Sequence, residues 1–476
     1  MDSLKIVKCS DVKLIPEIKA LADLHREQLG FHAQQTFIDS MKRGELLAAV
    51  LKGQVVGFTR YHHRRDQKTT LYEIATAPKF RNKGIGYFLV KALIADCQQI
   101  GSRHLRLSCP VELPANQFYQ KIGFTRTSSR VGKNRPLYTW ILDILPPRKI
   151  TFVASLTAIT SDFVQMIPLW ENEGQEQRPF EKCIITPRFI EAGALKYVRY
   201  MHDKWGVKVI FDSGGFFVQQ GKIRYEELFS WLLDFYAKND WADGYVLPDY
   251  VPTSRQSAAE VIERVHVTAA EGIKFLNRMP SELRDQAIGV LQGHDHYHLK
   301  YCFDAFMDKG LQRIGFGSFD TGGRNDEINL MTNASINRLA FVRDLIKQAY
   351  LSQTINVLPD LHLFGVSTPK MLADFPNYLA TSFDSSGWLR TAGFGNIYLP
   401  FQSRRNVTFG GSSLLLSKGF TAAEFYTQCE RTGHSCPFCD DFSRLQKNRV
   451  VRMWHNALVF SEMTAALNSE SKESHA

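Results

Sequence analysis

Two apolar runs in LLAAVLKGQVVGFTRYHHR, parted by Lys52 and Gly53, predict a β-hairpin near the start of the chain. TTLYEIATAP predicts a further strand and IGYFLVKALIADCQQIG a helix; a strand HLRLSCP, a helix containing NQFYQKIGF and a last strand PLYTWILDI follow. This part therefore reads as α+β. At the adjacent prolines Pro146 and Pro147 the pattern changes to short apolar runs alternating with amphipathic segments such as YEELFSWLLDFYAKN and NRLAFVRDLIKQAY. Eight runs read as strands: KCIITP, VKVIFDSG, GYVLPD, AIGVLQG, QRIGFGS, LHLFGVS, YLATSFDSS and NIYLPF. In the second, Val207, Val209, Ile210 and Phe211 form the near-continuous apolar run of a parallel strand buried on both faces. The expected fold class is α/β, with an α+β domain over 1–148 and a (β/α)8 barrel over 149–476. A chain of 476 residues is too long for one core, which agrees with that division. The polar end NSESKESHA is expected to fray.

Charge adds one expectation. A net charge of +10 and a pI near 9.1 favour a polyanionic partner such as nucleic acid. No apolar run is long enough to span a bilayer and MDSLKIVKCSDVK carries no signal-peptide pattern, so the expectation is a cytoplasmic protein without a membrane partner. Of the eight cysteines, Cys9, Cys97, Cys109, Cys183 and Cys302 are scattered, and only Cys429, Cys436 and Cys439 cluster. That pattern is not a disulfide framework.

RNKGIG, the run Arg81, Asn82, Lys83, Gly84, Ile85 and Gly86, lies between a predicted strand and a predicted helix. Backbone N–H groups there, with glycines that admit close approach, suit a pyrophosphate. With EIATAP before it and ANQFYQKIGF after it, this part resembles the GNAT acetyltransferase superfamily. The resemblance implies acetyl-CoA bound along Ile74, Ala75 and Ala77 and along Arg81 to Gly86, with Asn116 near the cofactor. It also implies that Tyr119 protonates the departing thiolate, and Glu73 is the residue expected to deprotonate an amine, directly or through water. The plainer readings are a solvent-facing strand carboxylate for Glu73 and a core aromatic for Tyr119.

The barrel strands carry polar residues or glycines at their carboxyl ends: Asp212, Asp249, Gln292 with Gly293, Gly315 with Gly317, and Asp384. Through DSGGF, VLQG, IGFG, LHLFGVSTPKML and FDSS, in that order, this part resembles the tRNA-guanine transglycosylase family. The resemblance implies that Asp384 attacks the ribose C1′ to form a covalent glycosyl-enzyme, with Asp212 as acid/base. It further implies a base-binding set of Asp249, Gln292, Gly293, Gly315, Ser213 and Gly214, with Gly214 and Gly215 leaving room for a flipped nucleotide. Cys429, Cys436, Cys439 and His455 would form a Cys3His structural zinc site over 429–455. The family places its first two cysteines one residue apart, so His434 stands as a substitute for the favoured Cys429. His294, His296 and His298 read either as a site for a second metal or a phosphate, or as a polar loop.

The expected function is exchange of guanine for a 7-deazaguanine-type base, with DNA favoured over tRNA because the zinc spacing diverges and the chain ends soon after His455. The first domain would acetylate an amine on that base or another substrate. Alternatives are a DNA glycosylase, a tRNA-guanine transglycosylase, and an inactive barrel that reads nucleic acid for the acetyltransferase. A homodimer is left open.

Overall fold

The structure is a computed structural model describing residues 4–132, 135–157, 159–174, 178–253, 255–322, 328–373, 379–408 and 419–473. The chain divides after Pro147 into two compact units.

The first unit is built on a sheet of seven strands, β1 (Leu4–Lys8), β2 (Leu46–Leu51), β3 (Gln54–His63), β4 (Lys68–Thr76), β5 (His104–Pro110), β6 (Thr125–Val131) and β7 (Pro136–Asp143). Their order is β1-β2-β3-β4-β5-β7-β6. Lys52 and Gly53 take positive φ of 51° and 81°, the two-residue turn that matches the twist of a hairpin. On one face the helix Ile85–Gln99 packs Leu89, Val90 and Leu93 with Leu71, Leu107 and Trp140. On the other, the helices Ile15–Leu24 and Gln34–Lys42 pack Ile18 and Phe37 with Phe58 and Ala75. Leu71 and Ala75 are four residues apart and would share a face of a regular strand. A bulge separates them: Arg60 of β3 faces Glu73, whereas the next residue, Tyr61, faces Leu71. Glu73 is thereby turned, with Ala75, toward the face covered by the first helices.

β4 and β5 are parallel neighbours only over Lys68–Thr70 and His104–Arg106. Beyond Thr70 they part. The cleft between them is the feature of this sheet that positions a site.

The second unit is a closed barrel of eight parallel strands. They are β8 (Thr151–Ser155), β9 (Lys182–Ile185), β10 (Lys208–Phe211), β11 (Gly244–Val246), β12 (Ala287–Leu291), β13 (Arg313–Phe316) and, after the small hairpin β14 (Asp320–Gly322) and β15 (Ile328–Leu330), β16 (Asp360–Leu363) and β17 (Ala380–Ser385). Val153, Ile184, Ile210, Val246, Ile288 and Val290 fill its interior. Branched apolar side chains there exclude an open pore.

Two sequence expectations change. NIYLPF is not the eighth strand: Asn396–Ile397 forms β18, antiparallel to β19 (Arg405–Asn406), outside the barrel. The place belongs to β8, which joins β17 to β9 and closes the ring. Its run TFVAS sits directly behind two prolines and two basic residues, where it reads as linker. Of the polar end, residues 474–476 lie outside the described residues, and residues 468–473 continue the last helix, Arg449–Glu473. Its first half buries Met453, Trp454 and Phe460, and that packing seeds a helix which the polar residues continue.

Candidate functional site

In the first unit Gly84, at φ 76°, is the N-cap of the helix Ile85–Gln99 and offers no side chain to cap it. The first-turn N–H groups are therefore left for an anion, and the conformation would cost a residue with a Cβ about 1–2 kcal/mol. A Cβ on Gly86 would lie 3.4 Å from Phe118, so this glycine admits the helix packing. Arg81, Asn82 and Lys83 are exposed around the loop. Ile74 and Ala75 lie on the part of β4 that has lost its β5 neighbour, so that edge of their backbone is available to a pantetheine arm. Ala77 is committed elsewhere, its amide donating to the Val56 carbonyl at 2.9 Å. Asn116 is likewise a structural peg. Its amide donates to the carbonyls of Pro110, Val111 and Leu113, and its oxygen accepts from the Trp140 indole at 2.9 Å.

Tyr119 is buried against Phe118, Phe124 and Trp140. Burial pushes its hydroxyl well above the ordinary phenol range, so it stays protonated and able to donate. Glu73 is not solvent-facing: it is 4% exposed, and Arg60 binds it through both oxygens at 2.8 and 2.6 Å. His32 Nε2 adds a third contact, at 2.8 Å. Nothing in the sequence joins residues 32, 60 and 73. The β4 bulge and the loop before Gln34 bring them together.

In the second unit Asp212 follows β10, Asp249 follows β11, Gln292 follows β12, and Asp384 lies inside β17. Burial, then the negative charge of Asp249 and that of Asp384, push the Asp212 carboxyl up to about 7, against the hydrogen bond from the Thr186 hydroxyl at 2.9 Å. Asp249 accepts from Ser213 and from the Gln292 amide, each at 2.7 Å, while burial holds its carboxyl above the usual range. The other Gln292 atom, Oε1, is buried without a hydrogen-bond partner. Asp384 accepts through one oxygen only. Its Oδ1 takes the Gly365 amide at 2.7 Å and His362 Nε2 at 3.3 Å, and His362 Nδ1 meets the Ser382 hydroxyl at 2.8 Å. Oδ2 makes no hydrogen bond among the described residues. Among those residues no lysine or arginine pairs with any of the three aspartates.

The glycines serve this cluster differently from the expectation. A Cβ on Gly215 would stand 2.3 Å from Asp249 Oδ1, and one on Gly214, at φ 85°, 3.0 Å from Thr186. They make room for the aspartates' own turn. Gly293 and Gly315 are bare because His298 and the Phe364 ring, each 2.2 Å from a Cβ built there, fill the space. Thr186 and His362 were missed by sequence reading; His362 stands in the LHLFGVS run but carried no role there. The alternating histidines are the start of a helix: Asp295 caps it, and His296 stacks on Phe341.

Near the chain's end a quartet of buried donors is formed by His434, Cys436, Cys439 and His455, all within 4.8 Å of one another. The sulfurs of Cys436 and Cys439 are 3.1 Å apart, and His455 Nδ1 is 3.6 and 3.3 Å from them. The Tyr398 carbonyl, at 2.8 Å, takes the proton of His455 Nε2 and so frees Nδ1. Glu462 holds His434 Nδ1 at 2.6 Å and leaves its Nε2 buried and unpaired. Cys429, the residue favoured from sequence, touches Cys439 but lies outside the quartet. His434 replaces it, which restores the one-residue spacing to Cys436. Two thiols and two imidazoles, each imidazole oriented from behind, fit a tetrahedral metal of the zinc type.

Residues 18–124 match the model of the "Acetyltransferase (GNAT) family", so the first unit carries a GNAT acetyltransferase domain. Among solved structures, Ard1 from Thermoplasma volcanium is 21% identical over 30% of this chain and 99% of its own, with a TM-score of 0.28. An N-acetyltransferase from Staphylococcus aureus is 19% identical over 30% and 99%, TM-score 0.27. A PaiA N-acetyltransferase from Thermoplasma acidophilum, solved with coenzyme A, is 16% identical over 30% and 99%, TM-score 0.26. No curated protein matches the chain. No helix among the described residues is long and apolar enough to cross a membrane.

Proposed function

We propose that the barrel exchanges a guanine-type base in nucleic acid, and that the first domain transfers an acetyl group from acetyl-CoA to an amine. The observation that carries the barrel reading is the pairing of unlike carboxyls at its mouth. Asp384 has one oxygen held by Gly365 and His362 and the other without a hydrogen bond among the described residues, as an attacking oxygen requires. Asp212, raised to about 7, keeps a proton near neutral pH and delivers it to the departing base. Gln292 supports a base as ligand, because its buried Oε1 lacks a donor that a purine edge supplies. The order of attack, departure of one base and entry of another is a retaining displacement that needs these two carboxyls.

DNA is the favoured polymer, with a 7-deazaguanine-type base entering and zinc held structurally by His434, Cys436, Cys439 and His455. Acetyl-CoA supplies an activated acetyl group, and the Gly84 loop and the open edge of β4 would hold it. The protein's place is the cytoplasm. Incubation with radiolabelled guanine and either duplex DNA or transfer RNA tests the reading: label enters the polymer, in DNA more than in RNA. Abasic sites formed without label entry would instead make the barrel a glycosylase. Formation of neither product refutes the reading.

A further inference from the structure

We propose that His32 takes the proton from the acceptor amine, with Glu73 as the positioning residue that fixes its tautomer; this rests on the acetyl-transfer reading of the first unit. Glu73 is ill placed to act itself. Its side chain is 3% exposed, and Arg60 binds both of its oxygens. His32 is 23% exposed, in the loop between the helices Arg26–Leu29 and Gln34–Lys42, where Gly30 at φ 86° turns the chain toward β4. Its Nε2 lies 2.8 Å from Glu73 Oε1 and 3.1 Å from the Leu29 carbonyl. Both partners only accept, so the ring proton resides on Nε2 and the lone pair on Nδ1. Nδ1 makes no hydrogen bond among the described residues.

Glu73 lies on the stretch of β4 that has parted from β5, beside the Ile74 edge offered to the coenzyme. His25, the other histidine on this side, has no free nitrogen: Nε2 meets the Thr76 carbonyl at 3.1 Å and Nδ1 faces Arg81 at 3.3 Å. His32 is the ring with a nitrogen left unengaged among the described residues. As the amine nitrogen bonds to the acetyl carbon, the carbon–sulfur bond breaks. The proton leaving nitrogen passes to His32 Nδ1, the sulfur takes one from the Tyr119 hydroxyl, and both side chains exchange with water afterwards. Tyr72, half exposed with the Arg60 guanidinium over its ring at 4.8 Å, gives the acceptor a flat wall.

The test uses the full chain, acetyl-CoA, and two amine probes, 7-aminomethyl-7-deazaguanine and spermidine, with CoA release as the rate. His32→Ala lowers kcat about 100-fold or more, leaves the calorimetric Kd for acetyl-CoA within about threefold, and removes the acidic limb of kcat/KM against pH. Unchanged kcat and an intact limb in that variant overturn the assignment. So does a histidine 15N spectrum that places the His32 proton on Nδ1, whatever the rates. Glu73→Gln, which retains an oxygen for Nε2, moves the limb without changing the Kd for acetyl-CoA. A wild type that binds acetyl-CoA but releases no CoA with either amine overturns the acetyl-transfer reading and this assignment together.

Discussion

The two units treat buried carboxylates in opposite ways. Glu73 is matched by a guanidinium at hydrogen-bond distance on both oxygens, whereas among the described residues no lysine or arginine pairs with Asp212, Asp249 or Asp384 at the barrel mouth. The matched carboxylate is electrostatically settled, so it orients a neighbour, His32. The unmatched three cannot all be ionised cheaply in a low-dielectric site, so one of them, Asp212, retains its proton. In the proposed reading the same functional group, a carboxylate, is an orienting anchor in one place and an acid beside a nucleophile in the other. The surroundings decide which.

The largest effect that sharpens this contrast is expected at Asp384. Asp384→Asn removes the attacking oxygen and lowers base exchange by at least about a thousandfold, while acetyl transfer is unchanged; label-incorporation and CoA-release assays on one preparation check both. Next comes Asp212→Asn. Between the usual carboxylate range and about 7 the folded barrel holds a proton that the unfolded chain has lost, so stability falls as pH rises through that window. The variant removes the penalty. Its melting temperature exceeds that of the wild type at pH 8 and equals it near pH 4, and its exchange activity is lost. If the two proteins melt together at both values, Asp212 is not the unmatched carboxyl.

A smaller loss is expected at His362, which contacts Asp384 through Nε2. His362→Ala lowers exchange about 10- to 100-fold, and His362→Gln, which keeps a donor, restores part of it. At the metal site the quartet is tested by content: His434→Ala and Cys436→Ser lose zinc on dialysis, and Cys429→Ser keeps it. Cobalt substitution gives the charge-transfer intensity of two thiolates. Three would return Cys429 to the site.

Much of the fold was legible in the sequence because it rests on local patterns. The hairpin at Lys52–Gly53, the glycine loop at 84 and seven of the eight barrel strands are each marked by turn chemistry or an apolar run. β8 was hidden by its neighbours Pro146 and Pro147, and NIYLPF took its place because an apolar run does not say what it pairs with. The aspartates were visible as residues at strand ends. Their electrostatics were not, since a pKa depends on what surrounds a carboxyl from distant strands. His32 beside Glu73 lies beyond sequence for the same reason, a gap of 41 positions closed by a bulge and a loop. His434 was within reach: it stood as the substitute for Cys429, and what was missing was the Glu462 side chain that holds its Nδ1.

The central claim is that Asp384 attacks while Asp212 supplies the proton, and trapping the glycosyl-enzyme tests it most directly. Labelled duplex DNA and transfer RNA are incubated with the protein, quenched in denaturant, and the adducted peptide is mapped by mass spectrometry. The account predicts a covalent adduct on Asp384 in the wild type, with DNA giving the higher yield, and none with Asp384→Asn. An adduct mapped to another residue, or turnover of base without any adduct in the wild type, would contradict it.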